Sequence, residues 1–99
     1  MSIKTHTPFS VAISVYKSDD PKFFDRALFS ITEMQTIKPD EIVLVVDGPV
    51  CEELNRVIEK YERLYSIFHI IRLEKNGGLG NALKIAVESS KYDLIARMD

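Results

Sequence analysis

Four short apolar runs, each followed by residues at helical spacing, govern what this chain can become. "FSVAISVY" (Phe9 to Tyr16) is β-branched and almost continuously apolar, as expected of a strand covered on both faces. Asp20 followed by Pro21 then reads as a helix start, with a cap oxygen ahead of a proline at the first helical position. Phe24, Ala27, Leu28 and Ile31 fall on one face of that helix, which should end before "IKPDE". "EIVLVVD" (Glu41 to Asp47) is a second buried strand, broken by Gly48 and Pro49. Glu52 and Glu53 load the first turn of a second helix, in which Leu54, Val57, Ile58, Tyr61 and Tyr65 keep the apolar spacing. "IFHIIRL" (Ile67 to Leu73) is a third strand, Leu79, Ala82, Leu83, Ala86 and Val87 mark the buried face of a third helix, and "DLIARMD" (Asp93 to Asp99) is a fourth strand.

Strand and helix in strict alternation predict an α/β fold: a doubly wound, mainly parallel sheet with helices on its faces. Ninety-nine residues suffice for one core and not two, so residues 1–99 are read as one unit, of which residues 1–8 are a tail. Thirteen basic against fifteen acidic side chains, with no basic stripe, remove the usual electrostatic signature of nucleic-acid or anionic-membrane binding. "MSIKTHTP" has no apolar segment resembling a signal peptide, and no run is long enough to span a bilayer, so a cytoplasmic protein is expected. Cys51 is the single cysteine, which excludes an internal disulfide and a multi-cysteine zinc site, and a small buried apolar role is expected for it. His6 reads as tail and His69 as an ordinary strand residue.

In a parallel sheet the chemistry gathers at the carboxyl ends of the strands. Here those ends read "YKSDD", "DGP", "EKNGG" and "RMD", which predicts that Tyr16, Lys17, Asp19, Asp47, Asn76, Gly77, Gly78, Arg97 and Asp99 share one rim. Carboxylates there can hold a divalent metal or accept from ribose hydroxyls, while cations and the N–H groups of a helix start can hold a diphosphate. Each residue also has a plainer reading. Asp20 is a helix cap, Asp19 a solvated turn residue, Asp47 part of a turn, and Arg97 a strand-end charge in need of a partner or an exit to solvent. The cluster Gly77, Gly78 and Gly80 signals by itself only a tight turn before a helix. It lacks the third glycine of the dinucleotide fingerprint and follows the third strand, and no G-K-[ST] exists, so a Rossmann dehydrogenase and a P-loop NTPase are both disfavoured.

Taken in order, "FSVAISVYKSDDPKFFDRALFSI", "QTIKPDEIVLVVDGP" and "RLEKNGGLGNALKIAVESSKYDLIARMD" resemble the amino-terminal, nucleotide-binding half of a family 2 glycosyltransferase with the GT-A fold, of the kind that builds bacterial surface polysaccharides. The resemblance covers Phe9 to Asp99. It implies an inverting enzyme that moves a sugar from a nucleotide-diphosphate donor to a saccharide or lipid-linked acceptor, using Mg2+ or Mn2+. It implies work at the inner face of the membrane for the intact enzyme. Tyr16 and Lys17 match the loop that lines the base, with Ser14 where many members have proline. Val46 and Asp47 stand where a pair of aspartates is usual, so Asp47 alone can take that part. Asn76, Gly77, Gly78, Leu79 and Gly80 match the third motif. Leu83 and Lys84 replace a common arginine and asparagine, leaving Lys84 as a phosphate partner or an exposed helix lysine. Asp99 resembles the first aspartate of the D-x-D metal motif, with the second metal aspartate and the general base expected after it. On that pattern the residues 1–99 hold no catalytic base, are expected to be inactive alone, and should present the fourth strand as an apolar edge prone to self-association.

Two other classes fit less well. A receiver-like signalling or nucleotide-binding module shares the alternation, but wants an acidic residue after the third strand, where "EKNGG" stands, and a fifth strand. A nucleotidyltransferase wants a glycine- and arginine-rich loop after the first strand, and "YKSDDP" is not one.

Overall fold

The computed structural model describes residues 7–98; His6 and Asp99 lie outside that range. The elements follow in the order β1 (Phe9–Val15), α1 (Pro21–Phe29), a π-helical turn (Ser30–Met34), β2 (Glu41–Val46), α2 (Glu52–Leu64), β3 (Phe68–Arg72), α3 (Leu79–Glu88) and β4 (Leu94–Met98). All the pairings are parallel, in the order β3-β2-β1-β4. The expected α/β class holds, and the strands are shorter than read by a residue or so at their ends: Tyr16, Asp47 and Leu73 lie just past them, although the Asp47 and Leu73 N–H groups still donate to the Val15 and Val46 carbonyls at 2.8 and 2.9 Å.

Alternation along the two central strands builds a core on each face. Val11, Ile13 and Val15 of β1 and Ile42, Leu44 and Val46 of β2 pack with Phe24, Leu28, Leu54, Ile58 and Tyr61 of α1 and α2. Ala12, Val43 and Val45 point the other way, against Ala82 and Ala86 of α3. The small side chains on this second face let α3 lie close to the sheet. Helices on both faces make the sheet doubly wound.

Asp20 caps α1 as read, its Oδ1 accepting from the Lys22 and Phe23 N–H groups at 2.8 and 3.3 Å. Such a cap contributes about 1 kcal/mol. After Phe29 the helix widens into the π-helical turn, where the buried Thr32 hydroxyl donates to the Leu28 carbonyl at 2.8 Å. Between α1 and α2, the Tyr61 hydroxyl donates to Asp25 Oδ1 at 2.6 Å, and Lys60 Nζ pairs with Asp25 Oδ2 at 2.7 Å. Ser10 is buried at the opposite end of the sheet from the strand-end rim. Its hydroxyl donates to Glu41 Oε1 at 2.7 Å, and the same oxygen accepts the Lys91 N–H at 2.7 Å, which ties the α3–β4 connection to the sheet. His69 is a β3 residue, as read, with Nδ1 3.7 Å from Glu41 Oε2.

Two burial expectations fail. Cys51 is exposed, because it is the N-cap residue of α2 and stands outside the helix's buried stripe. Leu79 is 55% exposed, because α3 begins beyond the strand ends and its first residue has no sheet beneath it. β4 lies beside β1 at the edge of the sheet, with Leu94 and Ala96 exposed.

Candidate nucleotide site

The strand ends converge. A cavity of about 390 Å³ at the carboxyl rim is lined by Ser14, Tyr16, Asp19, Asp47, Asn76, Gly78 and Leu79. Ser14 reaches it from the α3 side of β1, paired in register with Val45. Tyr16 and Asp19 come from the turn that follows. That turn is closed twice, by the Tyr16 N–H donating to Asp19 Oδ2 at 2.9 Å and the Asp19 N–H donating to the Tyr16 carbonyl at 3.0 Å. One Asp19 oxygen therefore shapes the loop, and the Tyr16 ring is left 42% exposed at the mouth.

Asp47 is the buried anion of the site, at 4% exposure. Its Oδ1 accepts the Gly77 N–H at 2.8 Å and its Oδ2 the Gly78 N–H at 3.0 Å. Asn76 Nδ2 returns a bond to the Asp47 carbonyl at 3.2 Å. A carboxylate at the end of β2 thus holds the glycine turn that launches α3. Bonds to an ionised acceptor are about twice as strong as neutral ones, so the turn is fixed by charge as well as by shape.

The glycines differ in what requires them. Gly78 has φ +95°, the left-handed region that side chains avoid. Gly48, in the turn after Asp47, has φ +89°, and a Cβ there would lie 2.7 Å from the Asn76 nitrogen, so the β2–α2 and β3–α3 loops touch through it. At Gly77 a Cβ would meet Asn81 Nδ2 at 2.6 Å. Around Gly80 nothing lies within 4 Å of a Cβ, and no intramolecular contact calls for a glycine. The N-cap of α3 is Gly78, which has no side chain to cap the helix, and whose own N–H is held by Asp47 Oδ2.

Of the residues read as rim groups, Ser14, Tyr16, Asp19, Asp47, Asn76 and Gly78 line the one cavity. Gly77 does not line it but is bonded to Asp47, and Gly80 lies in the first turn of α3. Lys17 is exposed in the turn and does not line the cavity. Arg97 does not reach it either: it pairs in register with Ala12, two residues below Ser14, and is exposed on the edge strand with no ion-pair partner among the described residues. Lys84 is exposed on α3. Leu79 was read as core and instead forms part of the cavity wall; its place directly after the cap glycine, ahead of the sheet, was the available signal. Among the described residues no group of three His, Cys, Asp or Glu side chains is arranged to hold a metal ion.

Residues 10–99 match the family model described as glycosyl transferase family 2. The chain is 44% identical over 91 residues to the amylovoran biosynthesis glycosyltransferase AmsE of Erwinia amylovora, a match that takes in 92% of this chain and 34% of that protein. It is 42% identical over 91 residues to an Escherichia coli UDP-Gal:alpha-D-GlcNAc-diphosphoundecaprenol beta-1,3-galactosyltransferase, covering 92% of this chain and 32% of that one. Against the E. coli O-antigen biosynthesis glycosyltransferase WbnJ it is 34% identical over 99 residues, all of this chain and 37% of the relative. The chain spans about a third of the length of these relatives.

Proposed function

The chain belongs to glycosyl transferase family 2, and from that premise we propose that it forms the donor-binding part of an enzyme that transfers a sugar from a nucleotide-diphosphate sugar. The acceptor is a saccharide or a lipid-linked saccharide in polysaccharide synthesis, as the names of its relatives support. The observation that carries this reading is the convergence of three strand ends on one cavity with an aromatic ring, a carboxylate and an uncapped helix start on its walls.

Tyr16 offers an exposed ring face for the base. Asp19 and Asn76 present polar side chains to base or ribose. The N–H groups that open α3 suit the diphosphate, because the helix dipole and unsatisfied donors both favour an anion. Asp47 acts first on the protein itself, since each of its oxygens already holds an amide. Transfer with inversion and dependence on Mg2+ or Mn2+ belong to the proposal through the family. The described residues do not form a metal cluster; Asp99 would supply one ligand to the ion. Work at the cytoplasmic face of a membrane, where a lipid-linked acceptor would be met, is also proposed; no described helix is long and apolar enough to cross the bilayer.

Titration calorimetry with uridine, guanosine and thymidine diphosphates, each with manganese, tests the reading. Binding of one diphosphate, lost in Tyr16→Ala and unchanged in Lys17→Ala, is the expected outcome. Absence of heat from all three would overturn it.

A further inference from the structure

The outer face of α1 takes no part in the cavity, yet it differs from the rest of the surface. Phe23 and Phe29 lie off the helix's buried stripe of Phe24 and Leu28 and are 65% and 49% exposed. Lys22, Arg26 and Lys60 line a shallow groove with Asp25, Phe29 and Tyr61 where α1 meets α2, and Phe23 stands outside that groove on the adjoining side of α1. The Arg26 guanidinium sits over the Phe23 ring, 5.7 Å from its centroid.

Some cations have carboxylate partners, Arg56 with Glu52 at 2.8 Å and Lys38 with Glu33 at 3.9 Å, and others, such as Arg97 and Lys84, have none among the described residues. Lys22 and Arg26 have none there either, and are set apart by the exposed phenyl rings beside them. Asp25, the carboxylate on the groove, is occupied by Lys60 and by the Tyr61 hydroxyl and so does not neutralise them. Two unpaired cations and two exposed phenyl rings within one nine-residue helix form a local positive, aromatic face on a chain whose net charge is -2.

We propose that this face of α1 docks on an anionic phospholipid surface. Charge complementarity selects the occupant: phosphate headgroups meet Lys22 and Arg26, while Phe23 and Phe29 enter the boundary between headgroup and acyl chain, where aromatic rings and the alkyl stems of cations are both accommodated. The inference deepens the membrane-face reading given above and is independent of the nucleotide cavity.

Co-sedimentation of the chain with vesicles tests it, using phosphatidylcholine alone and phosphatidylcholine mixed with phosphatidylglycerol. Binding is expected only to the mixed vesicles and should weaken as salt rises. At about 1 kcal/mol per cation near such a surface, or about fivefold each, Lys22→Gln with Arg26→Gln lowers partitioning about 25-fold. Phe23→Ser with Phe29→Ser also lowers it, and Lys91→Gln, in the α3–β4 connection, leaves it unchanged; circular dichroism confirms that each variant is folded. Equal binding to both vesicles, binding to neither, or indifference to the α1 substitutions overturns the proposal. So does saturable binding of inorganic phosphate, or capture of an acidic protein, without vesicle binding. Nucleotide calorimetry on the same preparation separates the two readings, because loss of vesicle binding with nucleotide heat intact sinks this one alone.

Discussion

Replacing Asp47 should uncouple the glycine turn from the sheet. The two amide bonds it accepts, at 2.8 and 3.0 Å, end on a carboxylate that is 4% exposed. Hydrogen bonds to a charged group contribute about 1.5–3 kcal/mol each. Two offsets reduce their sum. Gly77 is exposed, so water can replace one bond, and removing a buried charge returns its desolvation cost. Asp47→Ala should therefore destabilise the chain by about 2–3 kcal/mol. Asp47→Asn keeps the shape but sets an NH2 group against one of the two amides, and should cost about 1–2 kcal/mol. Urea unfolding followed by far-ultraviolet circular dichroism would read these as midpoint shifts of roughly 1 M. Native-state hydrogen exchange supplies the specific signature: the Gly77 and Gly78 amides should lose protection in both variants while those of β1 and β2 change only with global stability. Variants within about 0.5 kcal/mol of the parent, or unaltered exchange at both glycines, would refute the assignment of Asp47 as the brace.

The glycines should separate by sign. Gly80→Ala places a methyl group in open space within a helix and should stabilise the chain by about 0.5–1 kcal/mol, whereas Gly78→Ala at φ +95° should destabilise it by about 1–2 kcal/mol; thermal melts decide, and equal shifts would count against the local reading. Hydrogen bonding from Lys60, then from Tyr61, holds the Asp25 carboxyl below its ordinary range, so its contribution is complete above the unfolded pKa of about 3.9 and fades as pH falls through the lower folded value. With that side chain 37% exposed the effect is under about 1 kcal/mol, and a stability gap between parent and Asp25→Asn that did not narrow from pH 6 to pH 2 would exclude it. Burial first, then the bond to Asp25, raises the Tyr61 phenol above its ordinary value; that contribution is present below about pH 10 and lost above it as pH rises, and Tyr61→Phe should reduce the late step of an alkaline absorbance titration, to which Tyr65, raised by its bond to Glu33, also contributes. The exposed β4 edge should drive concentration-dependent association in light scattering, relieved by Leu94→Lys, and a strictly monomeric parent would count against it.

The order of elements was legible because the sequence changes period six times, from buried runs to helical spacing and back. The N-cap at Asp20 was legible because it is local, a matter of two consecutive residues. Long-range geometry was not. Nothing near Asp47 announces that its oxygens bond to Gly77 and Gly78, thirty and thirty-one residues away. The pairing of Asp25 with Tyr61 depends on how α1 and α2 lie together, and neither helix's own pattern encodes it. Lys17 and Arg97 were placed at the rim by proximity to strand ends, whereas reaching the cavity also requires the right side of the turn and the right level on the strand. Cys51 and Leu79 were misjudged for a related reason: both stand at helix starts, where apolar character no longer implies a surface to pack against.

The central position of β1 sets a schedule for synthesis. β1 can pair with β2, and β2 with β3, once Arg72 has emerged, and α1 and α2 then close one face. The other face waits for α3, and the free side of β1 waits for β4. From Arg72 to Leu94 is about twenty residues, or one to a few seconds at ~5–20 residues per second. During that interval Ala12, Val43 and Val45 have no cover. Synonymous changes that slow translation between those points should therefore raise aggregation of the nascent chain more than equal slowing upstream of β2, and co-expressed chaperone should remove the difference.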